Sequence, residues 1–429
     1  MTSNQKIILG AATILGTIII LMFAGIIPGL TSPENLKQAK LEMWGVADRQ
    51  SAFEESFSAF SKLHPNVSIR YTEKNIDTYE NDLVNSLAAG KGPDIIMLHN
   101  TWLPKHYDKL ASLPTTKFKM EDLRNIFPRV VEQDFAPNEV IYGLPLYIDT
   151  LALLYNQDIF DNKAIAVIPK TWEEVQAAIL KIRVLQKNNL KLAGVAIGTG
   201  KNINRGSDLM SLLMLQTGTE MTTKDFTRAT FAGKGLKSLD FYTKFADPKY
   251  KYYTWNSKMP NSIEAFANGQ VAMIFNYASN FRHIKEKNPF LRIGVGAMPQ
   301  PSNNDTRVDF PNYYGLSVAL SSKNQDAAWD FIKFLTANAG QSAKYLQTAK
   351  HPPALRSIIN TELGDDEAGI FAKQALTARS WPQIDSAAVD NIFSDMIETS
   401  VTGTLTKLQA IQKAENTLSE LMDKRQVTR

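Results

Sequence analysis

The stretch VIYGLPLYIDTLALLYNQDIF, Val140 to Phe160, places one carboxylate, Asp149, inside an apolar run that reads as a continuous strand. Gly143 and Pro145 loosen its start. Leu151, Leu153, Leu154 and Tyr155 favour extended backbone, and Asn156 to Asp161 supply turn residues that end it. A charge among apolar neighbours must be paired, hydrogen-bonded or useful. The reading that satisfies this is a strand crossing between two halves of the protein and carrying Asp149 into the cleft between them.

The remaining sequence agrees with two halves. A chain of 429 residues exceeds one ordinary core, and 44% hydrophobic with 21% charged residues is the composition of a folded globular protein. The 47 basic and 43 acidic residues are interspersed and leave a formal charge of only +4, so nucleic acid is not an expected partner. The absence of cysteine excludes disulfides, thiolate nucleophiles, Cys-ligated metal and lipid attachment through cysteine.

Membrane attachment therefore has to come from the polypeptide. After MTSNQK, residues Ile7 to Ile27 carry no charge and are long enough to span a bilayer as a helix. A cleavable signal has a shorter apolar core and a small-x-small site, whereas this run ends in IIPGLTSP. An uncleaved anchor is the expectation. Lys6 on one side against Lys37 and Lys40 on the other barely decides orientation; an inside N-terminus leaves the rest extracytoplasmic.

Residues 31–40 read as a tether, and folded sequence begins at Leu41. LEMWGV is a strand, Gln50 to His64 a helix with Phe53, Phe57, Phe60 and Leu63 at helical spacing, VSIRYTE a strand, Ile76 to Ala89 a helix and DIIML a strand. This is α/β alternation, which places ligands beyond the carboxyl ends of strands, here at Val46 to Arg49 and His99 to Trp102. Helices follow at Thr171, Ser207 to Gln216, Gly235 to Phe245, Ile263 to Asn268 and Gln325 to Thr336. Strands are expected at Gly194 to Ile197, VAMIFN and Leu316 to Leu320, and the last third is helical apart from Ser380 to Pro382.

Taken in order, LEMWG, FSAFSKLHPNVSIRY, AAGKGPDIIML, YGLPLYIDTLALLYNQDIF, TWEEV, AFANGQVAMIFN and GLSVALSSKNQDAAWDFIKFLT resemble the extracytoplasmic solute-binding proteins of ABC importers, the family of maltose-binding protein. The resemblance covers nearly everything after residue 40. It implies an α/β fold of two lobes joined by crossing segments and closing by a hinge, a mode for which periplasmic binding proteins are a standard example. Lobe 1 is then 41–148 plus 316–362, and lobe 2 is 149–315 plus 363–429, behind an anchor and tether at 1–40. It also implies a binding protein without cofactor or catalysis, a carbohydrate ligand and ABC permease subunits as partners. The anchor departs from the free or lipid-anchored forms usual in the family, and the ligand loops differ from those of maltose-binding protein.

Sugars present hydroxyl edges and apolar ring faces, which planar polar groups and aromatic platforms recognise. Counted from Trp44, Asp48 and Arg49 match an acidic and a basic sugar contact of the family, against the plain alternative of a surface ion pair. Asn100 and Trp102 lie in a family ligand loop, against helix capping and packing. Asp149 matches the acidic position of the crossing strand, against a buried hinge interaction, and Tyr147 shares its side of the strand. Asn276 and Tyr277 end a lobe 2 strand, and Asn312 and Tyr313, with Tyr314, lie near a second crossing. Trp255 and Trp381 are loop-borne and are expected as stacking platforms, unlike Trp44, Trp172 and Trp329, which read as core. His99 reads as structural, and the five histidines show no metal-ligand spacing.

Other functions are weaker. Asp48 and Asp149 are a conceivable glycosidase pair. GVAIGTGKN misses the phosphate-loop spacing and has Asn202 where Ser or Thr is required, and no G-x-S-x-G elbow occurs. A ligand sensor or adaptor for a membrane signalling protein remains the alternative to transport.

Overall fold

The computed structural model describes residues 38–427 apart from 47, 188, 303–305 and 362–366. Lobe 1 is built on a sheet in which β1 (Ala39–Gly45) lies between β2 (Val67–Glu73) and β3 (Ile95–His99), parallel to both. The sheet continues through an antiparallel strand, β13 (Tyr314–Ala319), which also pairs with the two-residue strands β4 (Leu110–Ala111) and β5 (Leu144–Pro145). Residues 95–98 are fully buried, as a strand covered on both faces should be. Helix Glu54–Leu63 joins β1 to β2, and helix Tyr79–Ala88 joins β2 to β3, which makes the α/β alternation read in the sequence.

The long apolar stretch is not one strand. It breaks into β5, then β6 (Asp149–Thr150), then β7 (Ala152–Asn156), and each piece pairs in a different sheet. β5 belongs to lobe 1, β6 forms a two-stranded ribbon with β12 (Pro311–Asn312), and β7 enters the lobe 2 sheet. The physical reason is that ladder partners differ along its length, so the backbone must turn between them. The lobe 2 sheet has the order β11 (Ile293–Gly296), β7, β10 (Val271–Asn276), β9 (Asn189–Val195), β8 (Val184–Gln186). Its β8–β9 hairpin takes in part of the short strand expected at Gly194 to Ile197; the outer strand β8 is exposed and, at three residues, too short to show an alternating pattern.

The TWEEV motif starts helix Trp172–Ile182 with a reciprocal cap. Thr171 Oγ1 accepts from the Glu174 N–H at 3.2 Å, and the Glu174 carboxylate accepts from the Thr171 N–H at 3.3 Å. Two apolar cores result. One draws on residues 39–148, 313–359 and 372–378, and the other on 151–310, 371 and 381–422. Among the described residues, three segments therefore pass between the lobes: β6, β12 and residues 371–381. Among the described residues no helix is long and apolar enough to cross a membrane, and the expected span at 7–27 lies outside them.

Candidate functional site

Asp149 sits in the first crossing and is 1% exposed. Its carboxylate accepts from the backbone N–H groups of Thr150 at 2.9 Å, Ala278 at 3.1 Å and Ser279 at 2.9 Å. It thus pins the turn that follows β10 to the hinge ribbon. Burial pushes its pKa up, and the three N–H donors together with His351 oppose that without cancelling it. The residue is committed to protein donors rather than presented openly to a ligand.

Lobe 1 presents an aromatic edge around the end of β3. His99 is held between Thr101 Oγ1 at 2.8 Å on Nδ1 and Asn312 Oδ1 at 2.7 Å on Nε2. Burial drives its pKa down to about 4, so the ring is neutral; Nε2–H donating to the Asn312 carbonyl leaves Nδ1 as acceptor. Trp102 and Tyr314 stand edge-on to each other with centroids 6.1 Å apart, and both touch the His99 ring. Beside them Lys105 bonds Glu80 of its own lobe and Asp385 of lobe 2, both at 2.7 Å. That ion pair ties the lobes together on this side.

Lobe 2 answers with a charged cluster. Arg205 precedes helix Gly206–Gln216 in the left-handed region, φ 65° and ψ 28°, a strained choice for a long side chain that points to a positional requirement. Its side chain is 37% exposed, yet its Nε is shut off from solvent without a hydrogen-bond partner. The guanidinium lies 4.0 Å from Asp208 and over the Tyr277 ring at 5.4 Å. Its charge reaches His99 and Tyr314 across the lobe boundary: it adds to the burial that lowers the His99 pKa, and it offsets only part of the burial that raises Tyr314 to about 12. Asp208 accepts from the Tyr277 hydroxyl at 2.9 Å, and Asp390 accepts from Ser207 at 2.5 Å. Burial and the neighbouring Asp390 lift Asp208 to about 6 against the pull of Arg205. Asn276, fully buried, braces this face by donating to Asn204 at 3.0 Å.

The other expected residues are placed differently. Asp48 and Tyr147 do meet, around His351. The histidine Nε2 is 2.9 Å from the Asp48 carboxylate and its ring stacks on Tyr147 at 3.8 Å, while Tyr345 donates to Asp48 at 2.6 Å. Arg49 is exposed beside them. Asn100 and Tyr313 are buried and both donate to Asp134, at 3.1 and 2.8 Å. Trp255 and Trp381 are closed inside lobe 2 rather than open as platforms, and their indole N–H groups donate to Asn202 at 3.2 Å and Ser211 at 3.3 Å. A loop position in sequence did not mean an exposed ring, because both loops fold back onto the core.

Arg205, Asp208 and Asp390 were absent from the expected set. Arg205 and Asp208 both follow the Gly194–Asn202 stretch, which resembles a phosphate loop without fitting one, and Asp390 lies within a helix, where a carboxylate reads as solvated surface. Among the described residues no group of three or more metal-ligating side chains occurs.

The model of the bacterial extracellular solute-binding proteins matches residues 44–342. The galactooligosaccharide-binding protein of Bacillus subtilis is 22% identical over 392 residues, 89% of each chain, and the maltotriose-binding protein of Pyrococcus abyssi is 21% identical over 83% of this chain and 78% of its own. In structure, the sugar-binding protein MalE of Xanthomonas citri aligns with a TM-score of 0.76 at 22% identity, covering 91% of this chain and 99% of that one. A family match over well more than half of the chain, together with two lobes joined by three crossings, gives the assignment: the chain belongs to the bacterial extracellular solute-binding proteins.

Proposed function

We propose that this protein captures a carbohydrate between its lobes and delivers it to an ABC permease, held at the membrane by residues 7–27. The observation that carries the ligand class is the pairing of Arg205, Asp208 and Tyr277 on lobe 2 with Trp102, Tyr314 and His99 on lobe 1. A fork of guanidinium donors beside carboxylate acceptors suits vicinal hydroxyls, and the aromatic edge suits a pyranose face. The names of the relatives support the same class, since they are proteins that bind maltotriose and galactooligosaccharides.

The proposed division puts lobe 1 at 41–148 plus 316–362 and lobe 2 at 149–315 plus 363–429, which the two apolar cores support with small shifts at Tyr313 and residues 372–378. Because the ligand touches both lobes, its differential affinity for the closed arrangement drives closure. In this reading Arg205, Asp208, Trp102, Tyr314 and Asn312 meet the sugar, with Asp149 holding the lobe 2 turn in place. No bond is made or broken. The chain is a binding protein, and Asp48 and Asp149 are each occupied by protein donors rather than poised as an acid and a nucleophile.

Thermal unfolding across a saccharide panel tests the ligand class. A cognate sugar at a hundred times its dissociation constant should add about 2.7 kcal/mol. A shift with peptides, polyamines or phosphate esters but with no saccharide removes the carbohydrate reading.

A further inference from the structure

A cavity of about 540 Å³ lies between the lobes, bounded on lobe 1 by Gln133, Asp134 and Val140 and on lobe 2 by Phe226, Pro382 and Ile384. Asp134, near the end of helix Arg129–Phe135, is only 8% exposed. Its carboxylate accepts from Asn100 at 3.1 Å, from the Tyr313 hydroxyl at 2.8 Å and from the Ser380 hydroxyl. Next to it, Gln133 donates to the Ser380 carbonyl at 2.6 Å and accepts from the Ser380 N–H at 3.3 Å. Two successive lobe 1 side chains thus grip one residue of the third crossing, whose next residue, Trp381, is already part of the lobe 2 core.

Among the other buried carboxylates of the described residues, Asp309 pairs with Arg307 and Asp48 with His351, while Asp149 accepts from three backbone N–H groups. Asp134 is surrounded by neutral donors. On its own helix Arg129 is exposed and Glu132 pairs with Arg124. Lys105 is taken by Glu80 and Asp385, Arg379 of the crossing is exposed, and Lys224 and Asp225 across the cavity are exposed. Tyr313 faces Asp134 as a neutral hydroxyl. Burial consequently lifts the acid to about 7, with the three donors pulling only part of the way back.

We propose that Asp134 is a proton-operated clamp between lobe 1 and the third crossing. With the proton on, the buried cluster is neutral and the cavity stays narrow. With the proton off, the carboxylate gains from hydration, which the cavity supplies when the Pro382–Ile384 edge of lobe 2 moves back. The sign follows from the raised pKa. The stabilisation of the narrow state is complete below the carboxyl range of an unfolded chain and is lost as pH rises through neutrality. A consequence for saccharide affinity rests on the function proposed above, but the clamp itself does not.

The test is tryptophan emission of the full chain in detergent, titrated from about pH 5.5 to about pH 8.5. Trp381, one residue from the gripped serine, is the reporter, and a Trp381→Phe variant identifies its share of the signal. The wild type should show a transition near neutrality that Asp134→Asn lacks; coincident curves for the two overturn the clamp. Should Asp134→Asn fail to fold, Ser380→Ala removes one donor to the ionised form and should move the midpoint to higher pH. A midpoint unmoved in that variant also overturns the proposal. A cognate saccharide should in addition show a several-fold change of affinity over the same range in the wild type and none in Asp134→Asn. Absence of saccharide binding leaves the emission result to decide the clamp alone.

Discussion

Asp149 shows how far a single residue can be read. Its odd chemistry, a carboxylate in an apolar run, was visible in the sequence, and so was its place at a crossing between lobes. Its partners were not, because Ala278 and Ser279 lie about 130 positions away and donate through backbone, which no side-chain pattern reports. Asp149→Asn replaces an acceptor oxygen by a donor facing N–H groups, and should cost about 1–3 kcal/mol of stability in urea unfolding. Sugar affinity of the folded fraction should change much less. A large loss of affinity with unchanged stability would instead restore a direct ligand role. Arg205 predicts the reverse pattern. Arg205→Met keeps the apolar stem but takes the cation from beside Asp208 and Asp390, so urea unfolding at neutral pH should show a modest loss of stability, while saccharide affinity by calorimetry should fall about 10- to 100-fold from lost charge-assisted bonds.

At the scale of elements, periodicity and caps carried most of the reading. Helix Gln325–Thr336 and strand Val271–Asn276 lie where the pattern puts them, and the TWEEV cap fixes a helix start through local bonds alone. What failed was the unity of the crossing strand, since a change of ladder partner is a tertiary fact and leaves the apolar pattern intact. The β5–β13 contact shows the constraint directly. A Cβ at Gly315 would lie 2.7 Å from the Leu144 carbonyl oxygen and 2.6 Å from the Phe135 ring. Gly315→Ala should therefore destabilise lobe 1 by about 1–3 kcal/mol in urea. The short helix Leu103–His106 makes a pH prediction. Burial raises the Glu80 pKa, but its bonds to His106 and Lys105 outweigh this and hold it at about 2, below its unfolded value. Its contribution is complete above the unfolded carboxyl range and is lost as pH falls toward about 2. Glu80→Gln should flatten the acid limb of the stability profile between those limits.

For the whole molecule, the question is how closure and attachment combine. Among the described residues, polar contacts hold the two lobes together: Lys105 with Asp385, His99 with Asn312, and Gln133 and Asp134 with Ser380. Such contacts hold an arrangement without burying much apolar surface, so a ligand bridging Arg205 and Trp102 has an equilibrium to shift. The proposed attachment does not draw on that equilibrium. The described chain starts at Gln38, directly before β1 of lobe 1, where the Ala39 N–H donates to the Asn66 carbonyl at 2.9 Å. A membrane tether there leaves the hinge free to work. Full-length protein should therefore stay with membranes through a high-salt wash, because an apolar span resists what screens charge. A chain of residues 38–429 should be released and should bind the same saccharide with unchanged affinity. Intact mass decides the anchor: a membrane-extracted product retaining Met1 or Thr2 establishes an uncleaved span. A mature soluble chain beginning near residue 30 would show that residues 7–27 act as a signal and that delivery to the permease proceeds from a freely diffusing receptor.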